Sequence, residues 1–282
     1  MKFATPDGRQ LGYRKIGTGP TLICHPGGPG FSSLYFADLA GLWERFTLIL
    51  LNPRGTADSE RPKDRRAYQT EDYVSDVEAL REHLGEERVM LLGHSHGGMV
   101  AQAYAAAHPG RVSKLVLAST LARFAPEQES AMRTAMEKRS NESWYSDAVA
   151  ALEAEQSAEF DNDEQLADLV FKELPLYFAK YGAMEAGYLD TLRTETPNGD
   201  ALLLFNREIF NTFDLRPQLS RITAPTLVIT GAEDFICGPM CADEIAAGVA
   251  GAHKVIVGDA GHMLFVEQPE EFHREVADFL EA

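Results

Sequence analysis

The fold is decided by residues 88–107, which read RVMLLGHSHGGMVAQAYAAA. The apolar run at residues 88–92 has the length and composition of a buried β-strand, and the Ala-rich stretch that begins at Met99 predicts a helix. Between them, residues 93–97 form a Gly-x-Ser-x-Gly sequence at a strand-to-helix turn. Such a turn holds its serine in a strained backbone conformation, and it needs small residues because strand and helix approach closely. The pattern predicts Ser95 as a nucleophile.

Other β-branched runs on both sides of this stretch show the same order of strand, turn and helix. Each is short, is closed by turn residues and is followed by a helix-like stretch, which is the alternating pattern of a parallel sheet covered on both faces. The helical spacing is clearest in residues 70–84 and 269–280. The sequence therefore predicts an α/β protein with a mostly parallel central sheet flanked by helices. The predicted strands are residues 21–24, 47–51, 88–92, 114–117, 226–230 and 253–257.

The alternation of strand and helix signals stops between residues 121 and 213. Strand signals vanish there, helix formers dominate, and aromatic side chains accumulate. This predicts a helical cap, residues 121–213, inserted into a core made of residues 1–120 and 214–282. Residues 123–213 carry 8 basic and 18 acidic side chains, so the acidity of the chain is concentrated in the insertion. We expect most of the aromatic side chains to pack inside the insertion or against the sheet rather than to contact a ligand.

Composition and charge restrict the class of protein. The chain is 45% hydrophobic and 24% charged, as expected of a globular protein with a sizeable core, and its net charge is −17. Nucleic acids and anionic membranes attract clustered Lys and Arg, so this charge disfavours both as partners and suits a small neutral or cationic substrate. No apolar run has the length of a membrane span or a signal peptide, from which we predict a cytoplasmic location.

The three cysteines are Cys24, Cys237 and Cys241. Their number is odd, so at least one is unpaired, and a structural disulfide framework is not expected. Cys237 and Cys241 lack a second ligand pair at zinc spacing. We therefore expect no metal site there, and nothing in the sequence indicates a cofactor.

A serine becomes an effective nucleophile only when a base removes its proton and a third group orients that base. Asp234 directly follows the predicted strand at residues 226–230, and His262 follows the one at residues 253–257. Loops after parallel strands gather at one edge of the sheet, so both side chains can meet Ser95 there, in the order Ser, Asp, His. We predict His262 as the base and Asp234 as the acid that orients it.

Both partners have alternatives. Other histidines are present, but only His262 combines a late loop after a strand with a flanking glycine. Asp234 is also a favourable helix cap for the segment that follows it. In that case Glu233 or Asp259 is the acid.

A second glycine-rich loop, residues 24–30 with the sequence CHPGGPG, follows the first predicted strand. Glycine amides can approach a substrate oxygen closely because no side chain intervenes. We predict that Gly28 and His96, the residue after the nucleophile, donate backbone N–H groups to an oxyanion. Gly27 is the competing donor, and a tight turn without a chemical role is the alternative interpretation.

Together these residues resemble the α/β-hydrolase superfamily along nearly the whole chain, and within it the proline iminopeptidase branch. The resemblance rests on the glycine loop at residues 27–30, on the Asn-Pro-Arg-Gly turn at residues 52–55, and on the acidic helical insertion. It implies the α/β-hydrolase fold, a cap that covers the site, and a triad of Ser95, Asp234 and His262.

The chain departs from the branch at three places. Pro26 separates the family's usual histidine from the glycine loop, Asn52 and Pro53 replace a frequent Asp-Gln pair, and His96 takes a position often held by an aromatic side chain. Peptidases of this branch hold the free amine of the substrate with cap carboxylates, and the resemblance implies Glu208 as such a substrate-binding group. A solvated glutamate, paired with the neighbouring arginine or with nothing, is the alternative.

The predicted function is that of a serine hydrolase that cleaves a small carboxylic ester, lactone or amide through an acyl-enzyme intermediate. A generalist esterase or lactonase ranks first, a proline iminopeptidase second, and a non-catalytic small-molecule receptor third. Related folds that dehalogenate or open epoxides place Asp where Ser95 stands, so the residue itself disfavours those chemistries. We expect a small-molecule or short peptide substrate and no nucleic-acid or membrane partner.

Overall fold

A computed structural model describes all 282 residues, and its centre is an eight-stranded sheet. The strands lie in the order β1-β2-β4-β3-β5-β6-β7-β8. Their bounds are β1 Lys2–Ala4, β2 Gln10–Ile16, β3 Thr21–His25, β4 Thr47–Leu51, β5 Val89–His94, β6 Val112–Ala118, β7 Thr226–Gly231 and β8 His253–Val257.

The direction of the strands confirms the predicted mostly parallel sheet. β2 runs antiparallel to both β1 and β4, and all the other strand pairs are parallel. β1 and β2 are absent from the prediction because their apolar signal is weak. They lie at one edge of the sheet, where Lys2, Arg14 and Lys15 interrupt the apolar residues.

Eleven α-helices connect and cover the strands, and none is both long and apolar enough to cross a membrane. Single 3-10 turns occur at Ser33–Phe36, Leu42–Glu44 and Leu174–Tyr177, and a π-helical turn at Phe205–Ile209. The helices are α1 Thr70–His83, α2 His96–Ala107, α3 Pro126–Glu137, α4 Tyr145–Gln156, α5 Asp163–Glu173, α6 Ala183–Thr191, α7 Gly199–Leu204, α8 Arg216–Leu219, α9 Pro239–Gly248, α10 Leu264–Glu267 and α11 Pro269–Glu281.

Different helices cover the two faces of the sheet. Successive residues of a strand point to opposite faces, so β4 contributes to both cores. Ile49 and Leu51 pack in the core that contains α1, α2 and α9, whereas Leu48 and Leu50 pack in the core that contains α11. Burial on both faces explains why this strand is a continuous apolar run in the sequence.

Residues 121–213, called the insertion below, lie between β6 and β7. They contain α3 to α7 and no strand of the sheet. The two ends of the insertion run side by side, because Arg123 and Asp214 form an antiparallel bridge and the Leu215 amide donates to the Ala122 carbonyl oxygen over 2.8 Å. The insertion therefore leaves the sheet and returns to it at one place.

Candidate active site

Ser95 lies at the turn between β5 and α2, at the carboxyl end of a central strand. Its φ of 55° and ψ of −124° are unfavourable for a residue with a side chain. A Cβ atom on Gly93 would lie 2.3 Å from the Gly97 carbonyl oxygen, and one on Gly97 would lie 2.2 Å from the His25 carbonyl oxygen. Only glycine fits at both positions, which is the physical reason for the spacing of the sequence motif.

His262 and Asp234 meet from the loops that follow β8 and β7. His262 Nδ1 lies 2.9 Å from Asp234 Oδ2, and both side chains are almost fully buried. Burial alone would raise the pKa of Asp234, but the His262 ring and the Cys237 amide outweigh burial and hold the pKa below its ordinary value. Because an ionised Asp234 accepts the Nδ1 proton, the neutral His262 ring is left with an unprotonated Nε2.

The two alternative acids lie elsewhere. Glu233 pairs with Lys138 Nζ at 2.9 Å, and Asp259 pairs with Lys180 Nζ at 3.5 Å. Asp259 is largely exposed, and Glu233 is partly exposed. Of the three candidate acids, Asp234 alone is hydrogen-bonded to His262.

The loop that carries His262 is fixed to the insertion by backbone hydrogen bonds. The His262 amide donates to the Tyr177 carbonyl oxygen over 2.7 Å. The Glu267 carboxylate accepts the Gly261 amide with one oxygen and the Ala179 amide with the other, both over 2.6 Å. The position of the histidine loop is therefore tied to residues 177–179 of the insertion.

The glycine loop lies against Ser95. A Cβ atom on Gly27 would lie 2.7 Å from Ser95 Cβ, so any side chain there would collide with the serine. The Gly27 amide donates to Tyr35 Oη over 2.5 Å, whereas the amides of Gly28 and His96 take no part in the hydrogen bonds of loops and helix caps. Of the two competing glycines, Gly27 has its amide hydrogen-bonded to Tyr35, and Gly28 has a free amide.

Ser95 and His262 line a cavity between the sheet edge and the insertion. Gly27 and Gly28 also line it, and more than half of the lining residues belong to the insertion. Most of the wall is apolar, through side chains such as Phe171. Such a space suits a small organic substrate.

Three glutamates of the insertion interrupt this apolar wall. Both carboxylate oxygens of Glu195 already accept hydrogen bonds, one from the Ser32 amide at 2.7 Å and one from the Ser32 hydroxyl at 2.8 Å. Glu155 and Glu173 are buried without a cationic neighbour. Glu173 Oε1 accepts the Tyr177 hydroxyl at 3.3 Å, and Glu173 Oε2 has no partner. The cavity thus contains a buried carboxyl oxygen that lacks a hydrogen-bond donor.

Burial raises the pKa of Glu155 to about 7. Burial and the neighbouring Glu155 raise the pKa of Glu173 well above its ordinary value. Two carboxyl groups that share a low-dielectric site resist ionising together unless a cation joins them. At neutral pH the pair therefore holds at least one proton when the cavity is empty.

The raised pKa of Glu155 predicts a stability effect that depends on pH. Between the ordinary Glu value of 4.5 and about 7, the folded protein binds more protons at this site than the unfolded chain does. The stabilisation is therefore complete below pH 4.5 and is lost as pH rises towards 7. The unfolding free energy of Glu155→Gln minus that of the wild type should therefore be larger at pH 8 than at pH 5, by roughly 1 to 3 kcal/mol. Urea unfolding at both pH values measures this, and a difference that does not change with pH would contradict it.

The structure corrects the position assumed for Glu208. Its carboxylate is half exposed, pairs with Arg66 Nη2 at 3.3 Å, and does not line the cavity. The exposure agrees with the solvated alternative, although the partner is Arg66 rather than the adjacent Arg207. The predicted substrate contact by Glu208 has no support in this geometry, because Glu208 lies outside the cavity. The insertion carboxyls that line the cavity without a cationic partner are Glu155 and Glu173.

Comparisons with known proteins agree with this architecture. The sequence pattern of the family described as alpha/beta hydrolase fold matches residues 20–269. A proline iminopeptidase of Pestalotiopsis fici is 29% identical over 100% of this chain and 99% of its own length. A proline iminopeptidase of Lactobacillus helveticus is 27% identical over 97% of this chain and 95% of its own.

Solved structures show the same likeness. The enol-lactonase of Burkholderia xenovorans LB400 superposes with a TM-score of 0.76 and 28% identity, and the whole of both chains is covered. An esterase of Exiguobacterium antarcticum reaches a TM-score of 0.78 over 100% of this chain and 99% of its own, at 20% identity, which shows the fold alone. The predicted resemblance to the proline iminopeptidase branch is confirmed, and the relatives named here are hydrolases. The chain therefore belongs to the alpha/beta hydrolase fold family.

Proposed function

We propose that the protein is a serine hydrolase in which Ser95, His262 and Asp234 act as the triad. His262 Nε2 takes the Ser95 hydroxyl proton while Ser95 Oγ attacks the substrate carbonyl carbon. His262 then gives that proton to the leaving group as the carbonyl–leaving-group bond breaks, and an acyl-enzyme remains. A water molecule, deprotonated by His262, attacks the acyl-enzyme and releases the acid and the free Ser95 hydroxyl.

The geometry around Ser95 supports these roles. The serine lies at the strained turn and lines the cavity with His262 and Gly28. Gly27, which precedes Gly28, lies against the Ser95 side chain. We assign the amides of Gly28 and His96 to the oxyanion of the tetrahedral intermediate, because N–H groups that need not reorganise stabilise developing charge most effectively. Residues 121–213 act as the cap that closes the cavity.

The carboxyls of the cavity change the ranking of substrates that the sequence suggests. A substrate with a free, positively charged amine would give Glu155 and Glu173 the cation that both lack, and it would donate to the unpartnered Glu173 Oε2. We therefore place a hydrolase of aminoacyl compounds, such as an N-terminal prolyl amide, ahead of a generalist esterase. The single observation that carries this preference is the pair of buried glutamates in the cavity, which have hydrogen bonds but no cationic partner. The proline iminopeptidases among the relatives support it.

A neutral ester or lactone is the second candidate. Its support is the enol-lactonase likeness at 28% identity over both complete chains. In that case the protonated carboxyl of Glu155 or Glu173 would donate a hydrogen bond to an oxygen of the substrate. The two candidates differ in the protonation state that the pair needs.

A pair of matched substrates separates the candidates. We expect a prolyl arylamide with a free ring nitrogen to be cleaved roughly tenfold to a hundredfold more efficiently than its N-acylated form, since the acylated form cannot pair with a carboxylate. The Glu155→Gln/Glu173→Gln double variant should remove most of that preference and leave the acylated substrate almost unaffected. Initial rates that give kcat/KM for both substrates measure the effect.

Glu208→Gln is the matched control, because it removes a carboxylate from the same insertion but outside the cavity. It should keep the preference of the wild type for the free amine. Equal turnover of both arylamides, together with faster turnover of a simple lactone, would make the neutral ester or lactone the better assignment.

A further inference from the structure

A chain of buried hydrogen bonds connects three loops of the site, and each proton in it has one possible position. The Gly27 amide can only donate, and it donates to Tyr35 Oη over 2.5 Å. Tyr35 Oη lies 2.8 Å from His94 Nδ1, so the tyrosine proton points to that nitrogen. His94 Nε2 lies 2.9 Å from the His262 carbonyl oxygen, which can only accept. His94 must therefore carry its single proton on Nε2.

Burial and packing fix the two side chains in this arrangement. His94 is 2% exposed and Tyr35 is 8% exposed. Burial, helped by the nearby His262, lowers the pKa of His94 to about 3, so its ring is neutral at physiological pH. The His94 ring packs edge-on against Phe265 with centroids 5.2 Å apart, and the Tyr35 ring packs against Phe36 at 4.7 Å.

The two ends of this chain lie at the groups that the reaction uses. One end is Gly27, next to the proposed oxyanion donor Gly28, and the other is the backbone of His262. His94, in the middle, immediately precedes Ser95 in the sequence. The bond from Gly27 to Tyr35 also removes the competing amide and leaves the Gly28 amide free. These hydrogen bonds are thus placed to fix the oxyanion donor, the nucleophile and the base relative to one another.

We propose that Tyr35 and His94 are positioning residues that hold the glycine loop and the histidine loop in register around Ser95, an inference that rests on the proposed triad. The chain transfers no proton, because its end groups, a backbone amide and a backbone carbonyl, neither lose nor gain one during the reaction. Its effect is geometric. Displacing a reacting group by about 1 Å costs on the order of a hundredfold in rate, so loss of this restraint has a measurable cost.

Three variants isolate the two hydrogen-bonding side chains. Tyr35→Phe removes the hydroxyl and keeps the ring. His94→Leu removes both ring nitrogens, whereas His94→Gln keeps one acceptor and one donor on a side chain of similar size. Tyr104→Phe is the matched control, because Tyr104 is fully buried and donates its hydroxyl to Glu78 Oε2 at 2.6 Å, away from the catalytic loops.

The readout is the rate at which a fluorophosphonate probe modifies Ser95, measured beside kcat and KM for 4-nitrophenyl acetate. We expect Tyr35→Phe to lower the labelling rate and kcat roughly tenfold to a hundredfold with KM changed less than about threefold. His94→Gln should keep at least about ten times the labelling rate of His94→Leu. Tyr104→Phe should label like the wild type even where its melting temperature falls.

A direct signature comes from the ¹⁵N resonances of His94, which should show a protonated Nε2 and an unprotonated Nδ1 in the wild type. A protonated Nδ1 in the wild type would contradict the hydrogen bond from Tyr35 Oη and overturn the proposal. A Tyr35→Phe protein that labels within about twofold of the wild type, or equal rates for His94→Gln and His94→Leu, would overturn it. Failure of the probe to modify wild-type Ser95 would instead count against the proposed triad, so the two failures can be told apart.

Discussion

Replacing Ser95 by alanine is expected to lower kcat/KM roughly a thousandfold or more and to leave the fold intact. In the proposed mechanism the Ser95 hydroxyl forms the acyl-enzyme, and no other side chain at the turn can replace it. The variant should fold because alanine is smaller than serine, and the Ser95 side chain caps no helix. Steady-state kinetics on an activated ester measure the loss, and circular dichroism checks the fold. An active Ser95→Ala protein would mean that another group attacks the substrate.

Asp234→Asn is expected to lower kcat by up to about ten thousandfold, because an amide cannot hold the His262 proton on Nδ1 or stabilise the imidazolium that forms. The same substitution type at the two alternative acids gives matched controls. Glu233→Gln and Asp259→Asn remove exposed carboxylates that pair with Lys138 and Lys180, and both should remain close to wild-type activity. A large loss in either control, with a mild effect in Asp234→Asn, would transfer the role of acid to the other residue.

The parallel part of the sheet could be predicted from the sequence because its strands are buried on both faces. Such strands appear as continuous apolar runs, and the turn at Ser95 gave their direction and the edge where the site lies. β1 and β2 could not be predicted in the same way. Charged residues interrupt both strands, and pairing stabilises them rather than a local apolar pattern: β1 pairs with β2, and β2 pairs with β4.

The sequence does not show how the helices of the insertion pack, and this limits the prediction of the site. Glu155 and Glu173 belong to different helices, and their shared cavity depends on how those helices pack. One local signal was present, because Glu155 continues the apolar face of α4 through Ala151 and Leu152. A glutamate on an apolar face indicates a buried carboxyl, which is the stronger reason to suspect a ligand. Glu208 lacked that signal and lies on the surface.

The hydrogen bonds of Tyr35 also lay beyond prediction from the sequence. Tyr35 sits in a 3-10 turn after β3, and His94 ends β5, so no spacing rule connects them. Their contact follows from the parallel pairing of β3 and β5, which places His25 beside Gly93. The choice of Gly28 over Gly27 as the free amide depends on that contact.

If catalysis passes through an acyl group on Ser95, that intermediate can be trapped. The enzyme would be quenched in acid during turnover of a slowly deacylated ester and analysed by mass spectrometry after trypsin digestion. Cleavage after Arg88 and Arg111 gives one peptide, residues 89–111, that contains Ser95. We expect this peptide to be heavier by the mass of the acyl group, with fragment ions that place the group on Ser95, and no adduct in Ser95→Ala. Turnover without an adduct when deacylation limits the rate, or an adduct on a different residue, would contradict an acyl intermediate on Ser95.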